Sequence, residues 1–123
     1  MNIQESGEMY LEAIYVLSKK LPNVRAIDVG QHLGYSKPSV SRALSILKNG
    51  GYLTINDNNH ILLTQKGLAL GEKIYERHTI LTRMLVGLGV PEDVAATDAC
   101  RMEHAISDES FAAIKKHLSA YAE

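Results

Sequence analysis

The chain contains little cysteine, no tryptophan and no long apolar run. One cysteine among 123 residues excludes an internal disulfide framework and is typical of a protein from a reducing compartment. No apolar stretch approaches the roughly 20 residues that a membrane-spanning helix needs, and the start of the chain lacks a secretory apolar region. These absences predict a cytoplasmic protein.

Neither sign of charge dominates, since the chain has 13 Lys and Arg and 14 Asp and Glu, which gives a net charge of −1. The small imbalances have opposite signs in the two halves of the chain. Residues 1–75 carry eight Lys and Arg against six Asp and Glu, whereas residues 76–123 carry five against eight. This difference weakly favours a nucleic-acid partner for the first half and a cation for the second.

Three helices are predicted in the first fifty residues. Apolar residues recur at spacings of three and four from Ser6, a plausible N-cap, to Leu21, and Pro22 ends that helix. The same pattern covers residues 26–33 and ends at Gly34. Ser36-Lys37-Pro38 is typical of an N-cap followed by a first-turn proline, so a third helix starts there and runs to about Lys48. The tight connection between the second and third helices predicts a helix-turn-helix.

Two short β-prone runs follow this motif. Residues 52–55 and 60–64 flank the turn-forming sequence Asn56-Asp57-Asn58-Asn59. We therefore predict a β-hairpin, the wing of a winged helix-turn-helix.

The rest of the chain has the pattern of further helices. A long helix runs from Thr64-Gln65 to Gly89, another from Pro91 through Cys100 to His104, and a last one is capped by Ser107. The predicted fold is mainly α with a small β-hairpin. We expect two domains, a winged helix-turn-helix in residues 1–70 and a helical domain in residues 71–123.

The exposed face of the third helix is rich in hydroxyl and cationic groups. Such groups suit phosphates and base edges, and Arg42 is the best candidate for reading a guanine. A helical domain can also carry Ser and Lys on a merely solvated face. The predicted DNA-binding residues are Ser36, Lys37, Pro38, Ser39, Ser41, Arg42 and Lys48. A single winged helix with so few cations would bind DNA weakly, which favours a homodimer on a palindromic double-stranded operator.

Cys100, Glu103 and His104 stand at positions i, i+3 and i+4. On a helix they share one face and offer sulfur, oxygen and nitrogen donors to one divalent transition ion. The alternative is a small buried cysteine next to a solvated Glu and His pair.

Three residues elsewhere extend this candidate metal site. Met9 and Glu12 share one face of the first helix, and His78 lies at the edge of the apolar stripe of the long helix. Taken singly, Met9 is equally a core residue, Glu12 a solvated one and His78 an ordinary half-buried histidine.

The chain resembles the diphtheria toxin repressor family of metal-dependent transcriptional regulators. The resemblance covers nearly the whole chain and rests most specifically on the last of its motifs. These motifs are Glu8 to Tyr15, Ser36 to Ser41, Leu63 to Gly67, Arg77-His78, and Cys100-Arg-Met-Glu-His104 followed by Ser107-Asp-Glu109. It implies a metal site at the junction of a winged helix and a dimerisation domain. It further implies that residues 71–123 are a helical metal-binding and dimerisation domain. By the same resemblance, the effector site of iron-type members is matched by Met9, Cys100, Glu103 and His104, and His78 matches a ligand position of both iron-type and manganese-type members.

The sequence departs from both types of the family. Glu12 stands where manganese-type members place a carboxylate ligand, whereas Thr82 and Ala96 replace two ancillary ligands of the iron type. The chain ends at Glu123, before the SH3-like domain of longer members, so we expect either a short two-domain form similar to manganese regulators or a truncated longer chain. Met9 and Cys100 favour softer ions and the carboxylates harder ones, so Fe(II) is preferred narrowly over Mn(II).

The function expected from these features is a metal-activated repressor that binds DNA when loaded with Fe(II) or Mn(II) and controls metal homeostasis genes. No catalysis is expected, because no nucleophile and base pair or phosphate loop accompanies the ligands. The alternative is a metal-independent winged-helix regulator that responds to a thiol reaction of Cys100 or to another ligand.

Overall fold

A computed structural model describes the backbone of residues 5–121 and the side chains of residues 5–119. The described elements are α1 (Glu5–Lys20), α2 (Ala26–Leu33), α3 (Lys37–Asn49), β1 (Leu53–Ile55), β2 (Ile61–Leu63), α4 (Gln65–Gly87), α5 (Glu92–Met102) and α6 (Asp108–Tyr121). The chain divides within α4 into two compact units, Met1–Lys73 and Ile74–Glu123. The predicted class, a winged helix-turn-helix with a helical second part, is confirmed.

The first unit begins with α1, and one prediction there is wrong. Ser6 lies inside the helix after Glu5, so Ser6 is not its N-cap. The buried face of α1, which includes Leu11 and Ile14, packs in one core with Val40 of α3 and Leu53 of β1. This apolar core fixes the position of α3 against α1.

Local signals in the sequence determine the helix-turn-helix. Gly34 ends α2 with a φ of 75°, the left-handed conformation that glycine adopts without strain. The Ser36 hydroxyl accepts a hydrogen bond from the backbone N–H of Ser39, and Pro38 stands in the first turn of α3. The start of α3 is therefore fixed by its own sequence.

The wing is an antiparallel pair in which Leu53 lies opposite Leu63 and Ile55 opposite Ile61. Its turn is held by the Asn56 side chain, which accepts hydrogen bonds from the backbone of Asn58 and His60.

Gly67, in the first turn of α4, lies against the base of the wing. A Cβ atom at this position would overlap the carbonyl of Tyr52, so the base of the wing can approach the helix only because residue 67 is glycine.

The second unit has a small core of Leu81 from α4, Ala99 from α5 and Phe111 from α6. α6 begins as predicted, with the Ser107 hydroxyl accepting from the N–H of Ser110. α5 ends at Met102 rather than at His104. Its last backbone bond runs from the N–H of Glu103 to Ala99, and His104 lies in the turn that follows.

Candidate functional site

The predicted DNA-binding residues of α3 are all exposed, while Val40, Leu44 and Leu47 of the same helix are buried. α3 therefore has one face buried in the core and one face exposed to a potential partner. Ser36 differs from the others because its hydroxyl, besides capping the helix, hydrogen bonds with that of Ser39 at 3.0 Å. Its role in the structure is to start α3.

A groove of about 510 Å³ lies between α3 and the wing. Lys37, Ser41 and Lys48 line it from α3, so three of the predicted residues share this surface. Arg42 is exposed but does not line the groove. The groove presents cations and hydroxyls, the groups that bind a phosphate backbone.

The groove includes three polar residues that the sequence interpretation missed, Arg25, Ser45 and Asn59. Ser45 follows Ser41 by four residues, a spacing that could have identified it. Arg25 and Asn59 come from the start of α2 and the wing turn, and only the folded chain brings them to α3.

Met9 and Glu12, the candidate ligands of the first unit, are both half-buried on α1. The Met9 sulfur accepts a hydrogen bond from the Tyr35 hydroxyl at 3.2 Å. The Tyr35 ring also packs against that of Tyr10 with centroids 5.8 Å apart. Burial raises the pKa of Tyr10, and the neighbouring Tyr35 adds to the rise. Tyr35 directly precedes the cap of α3, so Met9 contacts the turn of the helix-turn-helix.

Glu103 is the centre of the candidate site in the second unit. Its side chain has an exposed fraction of 0%, although its carboxylate carries a charge when ionised. An isolated buried carboxylate costs several kcal/mol unless a cation or hydrogen-bond donors compensate it. The residues around Glu103 therefore decide whether it is stable there.

Two histidines lie next to this carboxylate. His78 Nδ1 is 2.9 Å from Glu103 Oε1, and His104 Nε2 is 3.6 Å from Oε2. The side chain of His104 is only 1% exposed, whereas that of His78 is 29% exposed. Within the second unit, the structure thus brings together three predicted metal ligands, His78 on α4 and Glu103 and His104 just after α5.

These residues fit a divalent transition ion. Among the described residues, Oε2 of Glu103 is a buried atom with no hydrogen-bond donor, which is a group that a cation would satisfy. Cys100, half-buried on α5, stands four residues before His104. Carboxylate, imidazole and thiolate together suit Fe(II), Mn(II), Co(II) or Zn(II) better than Ca²⁺ or Mg²⁺.

The backbone near the site is held by Arg77, which sequence reasoning used only as part of a motif. The Arg77 side chain is buried, and it donates to the carbonyls of Glu103 and Ile106 at 3.1 and 2.6 Å. It also pairs with the Asp108 carboxylate. In the sequence, only its place next to the predicted ligand His78 points to Arg77, because its partners lie 26 to 31 residues away.

The fold defines a winged-helix protein whose helical second unit carries a cluster of potential metal ligands. Residues 2–61 match the family described as the N-terminal DNA-binding domain of iron-dependent repressors. Residues 64–123 match its metal-binding and dimerisation domain. The chain belongs to this iron-dependent repressor family, which confirms the resemblance to the diphtheria toxin repressor family.

Similar proteins include both iron and manganese regulators. The chain is 32% identical over 106 residues to the iron-dependent repressor IdeR of Mycobacterium tuberculosis, covering 85% of this chain and 46% of IdeR. It is 33% identical over 106 residues to the transcriptional regulator MntR of Escherichia coli O157:H7, covering 86% of this chain and 68% of MntR. The chain thus spans about half the length of the first of these relatives.

A solved structure shows the same arrangement of elements. The metal-dependent transcriptional regulator MtsR superposes with a TM-score of 0.85 at 26% identity, over 92% of this chain and 53% of MtsR. These proteins are named as transcriptional regulators and repressors rather than as enzymes. In the part of the chain that the structure describes, no helix is both long and apolar enough to cross a membrane.

Proposed function

We propose that this protein is a metal-dependent transcriptional repressor that binds a palindromic operator as a homodimer when loaded with Fe(II) or Mn(II). Its targets are metal homeostasis genes, and it works in the cytoplasm. The observation that carries the proposal is the buried carboxylate of Glu103, which lies between two imidazoles in a chain that also exposes a polar winged-helix face.

The proposed metal ligands come from both units of the chain. His78, Cys100, Glu103 and His104 belong to the second unit, and Met9 and Glu12 to the first. The geometry of His78, Glu103 and His104 supports the former group, while Met9 and Glu12 are assigned by their donor types and by the family resemblance. When bound, the ion supplies positive charge to compensate the Glu103 carboxylate.

The repressor mechanism proposed is linkage between metal and DNA. A metal that binds the DNA-competent arrangement better than the others shifts the population towards it. Lys37, Ser41 and Lys48 would contact the DNA backbone across the groove. Arg42, with Pro38 and Ser39, would meet base edges, and two copies of the chain would read two half-sites.

Iron is proposed as the preferred ion by a small margin. The thiolate of Cys100 and the thioether of Met9 are soft donors, whereas the carboxylates of Glu12 and Glu103 are hard. Iron and manganese regulators both occur among the relatives, so the choice depends on the sulfur ligands of this chain.

The test is anaerobic DNA binding with and without metal. A duplex is selected from a randomised library with the full chain, once with Fe(II) and once with chelator. Its binding is then measured by fluorescence anisotropy with Fe(II), Mn(II), Zn(II) or chelator, and the bound metal is counted on the same sample. Binding that requires metal supports the proposal, and equal binding in chelator contradicts it.

Glu103→Gln identifies the site responsible. The amide keeps the shape of the side chain but removes the charge that holds a cation, so we expect metal-dependent DNA binding to be lost. The free energy of unfolding of the metal-free protein should be unchanged or higher, since a buried charge is removed. Glu109→Gln, an exposed carboxylate in the first turn of α6, is the matched control. A retained metal response in Glu103→Gln would leave thiol sensing through Cys100 as the explanation.

A further inference from the structure

Two consecutive residues of α4 hold the two ends of Glu103. His78 contacts its carboxylate through Nδ1, and Arg77 donates to its backbone carbonyl at 3.1 Å. Glu103 is therefore fixed at the main chain and at the side chain from one turn of one helix.

The Arg77 guanidinium makes further contacts along the connection from α5 to α6. It donates to the carbonyl of Ile106 at 2.6 Å and pairs with Asp108 in the first turn of α6. Its Cζ lies 5.5 Å from the ring centroid of Phe111, a core residue of α6. One buried cation thus connects α4 with the end of α5, the turn and the start of α6.

These contacts provide hydrogen-bond donors for backbone carbonyls. The last carbonyls of a helix have no partner within it, and a buried carbonyl without one costs free energy. Arg77 donates to the carbonyl of Glu103, which directly follows the last residue of α5, and to the carbonyl of Ile106 in the turn before α6. A guanidinium can do this because its N–H groups form a rigid planar fork, whereas an ammonium is a single point donor.

We propose that Arg77 is a positioning residue for the metal site, setting the place of the Glu103 carboxylate against His78 before any ion binds. This inference rests on the proposed function and extends it to a residue that touches no metal. Residues that orient metal ligands typically change metal affinity by about 10- to 100-fold when they are removed.

The chain contains a matched contact that lacks this role. Glu76, the neighbour of Arg77, pairs with Lys115 of α6 at 2.6 Å, with both side chains about half exposed. That pair joins α4 to α6 just as Arg77 and Asp108 do, but it is not bonded to Glu103. Glu76→Gln therefore removes an ion pair between the same two helices without disturbing the ligand.

The experiment measures Co(II) affinity of the full chain, anaerobically and without DNA, by competition with a coloured chelator. Arg77→Lys keeps the charge beside Asp108 but loses the fork, so we expect about 10- to 100-fold weaker binding. Its Co(II) absorption bands at saturation should also shift, since the ligands are held differently. Asp108→Asn keeps the bonds of Arg77 to both carbonyls and should lose less, and Glu76→Gln should match the unsubstituted protein.

Folding is checked separately, by circular dichroism and urea unfolding in EDTA. If Arg77→Lys does not fold, Arg77→Gln and Asp108→Asn are compared in its place, and weaker binding by these folded variants supports the proposal. A folded Arg77 variant with unchanged affinity and spectrum overturns the positioning role alone. If the unsubstituted protein binds no Co(II), the proposed function and this inference both fail.

Discussion

The two units of the chain differ in where their charged side chains lie. In the first unit, Met1–Lys73, the buried core is apolar, and the cations of α3 lie on the surface. In the second, Ile74–Glu123, the side chains of Arg77, Glu103 and His104 are buried. The first unit therefore presents its charges to solvent, whereas the second encloses these three side chains.

This difference has an energetic consequence. An exposed cation loses little hydration on folding, so the first unit can be stable without its partner. The free-energy cost of a buried carboxylate depends on the charges and hydrogen-bond donors within a few ångströms, so a bound cation would stabilise the second unit. Substitutions should therefore affect packing in the first unit and ligand binding in the second.

The largest effect on stability is expected from Gly67→Ala. The added methyl group would overlap the Tyr52 carbonyl, and backbone cannot move aside as a flexible side chain can. We expect the first unit to lose about 3 kcal/mol or more and the wing to be displaced. Urea unfolding measures the loss.

Gly87→Ala is the matched control, since the same helix has open space at that position. Alanine there should be neutral or stabilise the protein by up to about 1 kcal/mol. If both variants lost stability equally, the close approach at Gly67 would not be what the wing requires.

Cys100→Ser tests the second unit with a smaller, chemical change. Serine replaces a soft donor with a hard, weak one, so affinity for Zn(II) and Co(II) should fall by at least about tenfold and that for Mn(II) by less. Competition with a chelator gives the affinity for each ion. An equal loss for all three ions, accompanied by reduced stability, would instead make Cys100 a packing residue.

Arg42→Ala and Lys48→Ala compare two kinds of DNA contact within α3. Loss of Arg42 should cost about 1–3 kcal/mol on the selected operator and relax its sequence preference. Loss of Lys48, which lines the groove, should weaken binding to all sequences alike and lower the salt dependence by about one ion. Anisotropy titrations at several salt concentrations separate the two. Identical behaviour of the variants would refute the assignment of Arg42 to base reading.

The sequence predicted the first unit well because its signals are local. Gly34, the Ser36 cap and Pro38 each act within one turn of the residues they organise. The one error, Ser6 as an N-cap, arose because a serine within a helix gives the same pattern as one at its start. Arg25 and Asn59 were missed because tertiary folding alone brings them to α3.

The second unit was predicted less completely, for the opposite reason. The spacing of Glu103 and His104 predicted a cluster, but α5 ends at Met102, and the position of both residues is set by the turn that follows. No local pattern indicates that Arg77 holds the Glu103 backbone, because its partners belong to another helix and a turn.

In the proposed mechanism, metal bound by the second unit and DNA bound by the first are linked. Linkage is reciprocal, so the factor by which metal raises DNA affinity must equal the factor by which DNA raises metal affinity. We would measure Mn(II) affinity of the full chain with and without the selected duplex, and DNA affinity with and without Mn(II). Linkage predicts the same factor in both measurements, of about 5- to 150-fold. A metal affinity that DNA leaves unchanged would contradict it.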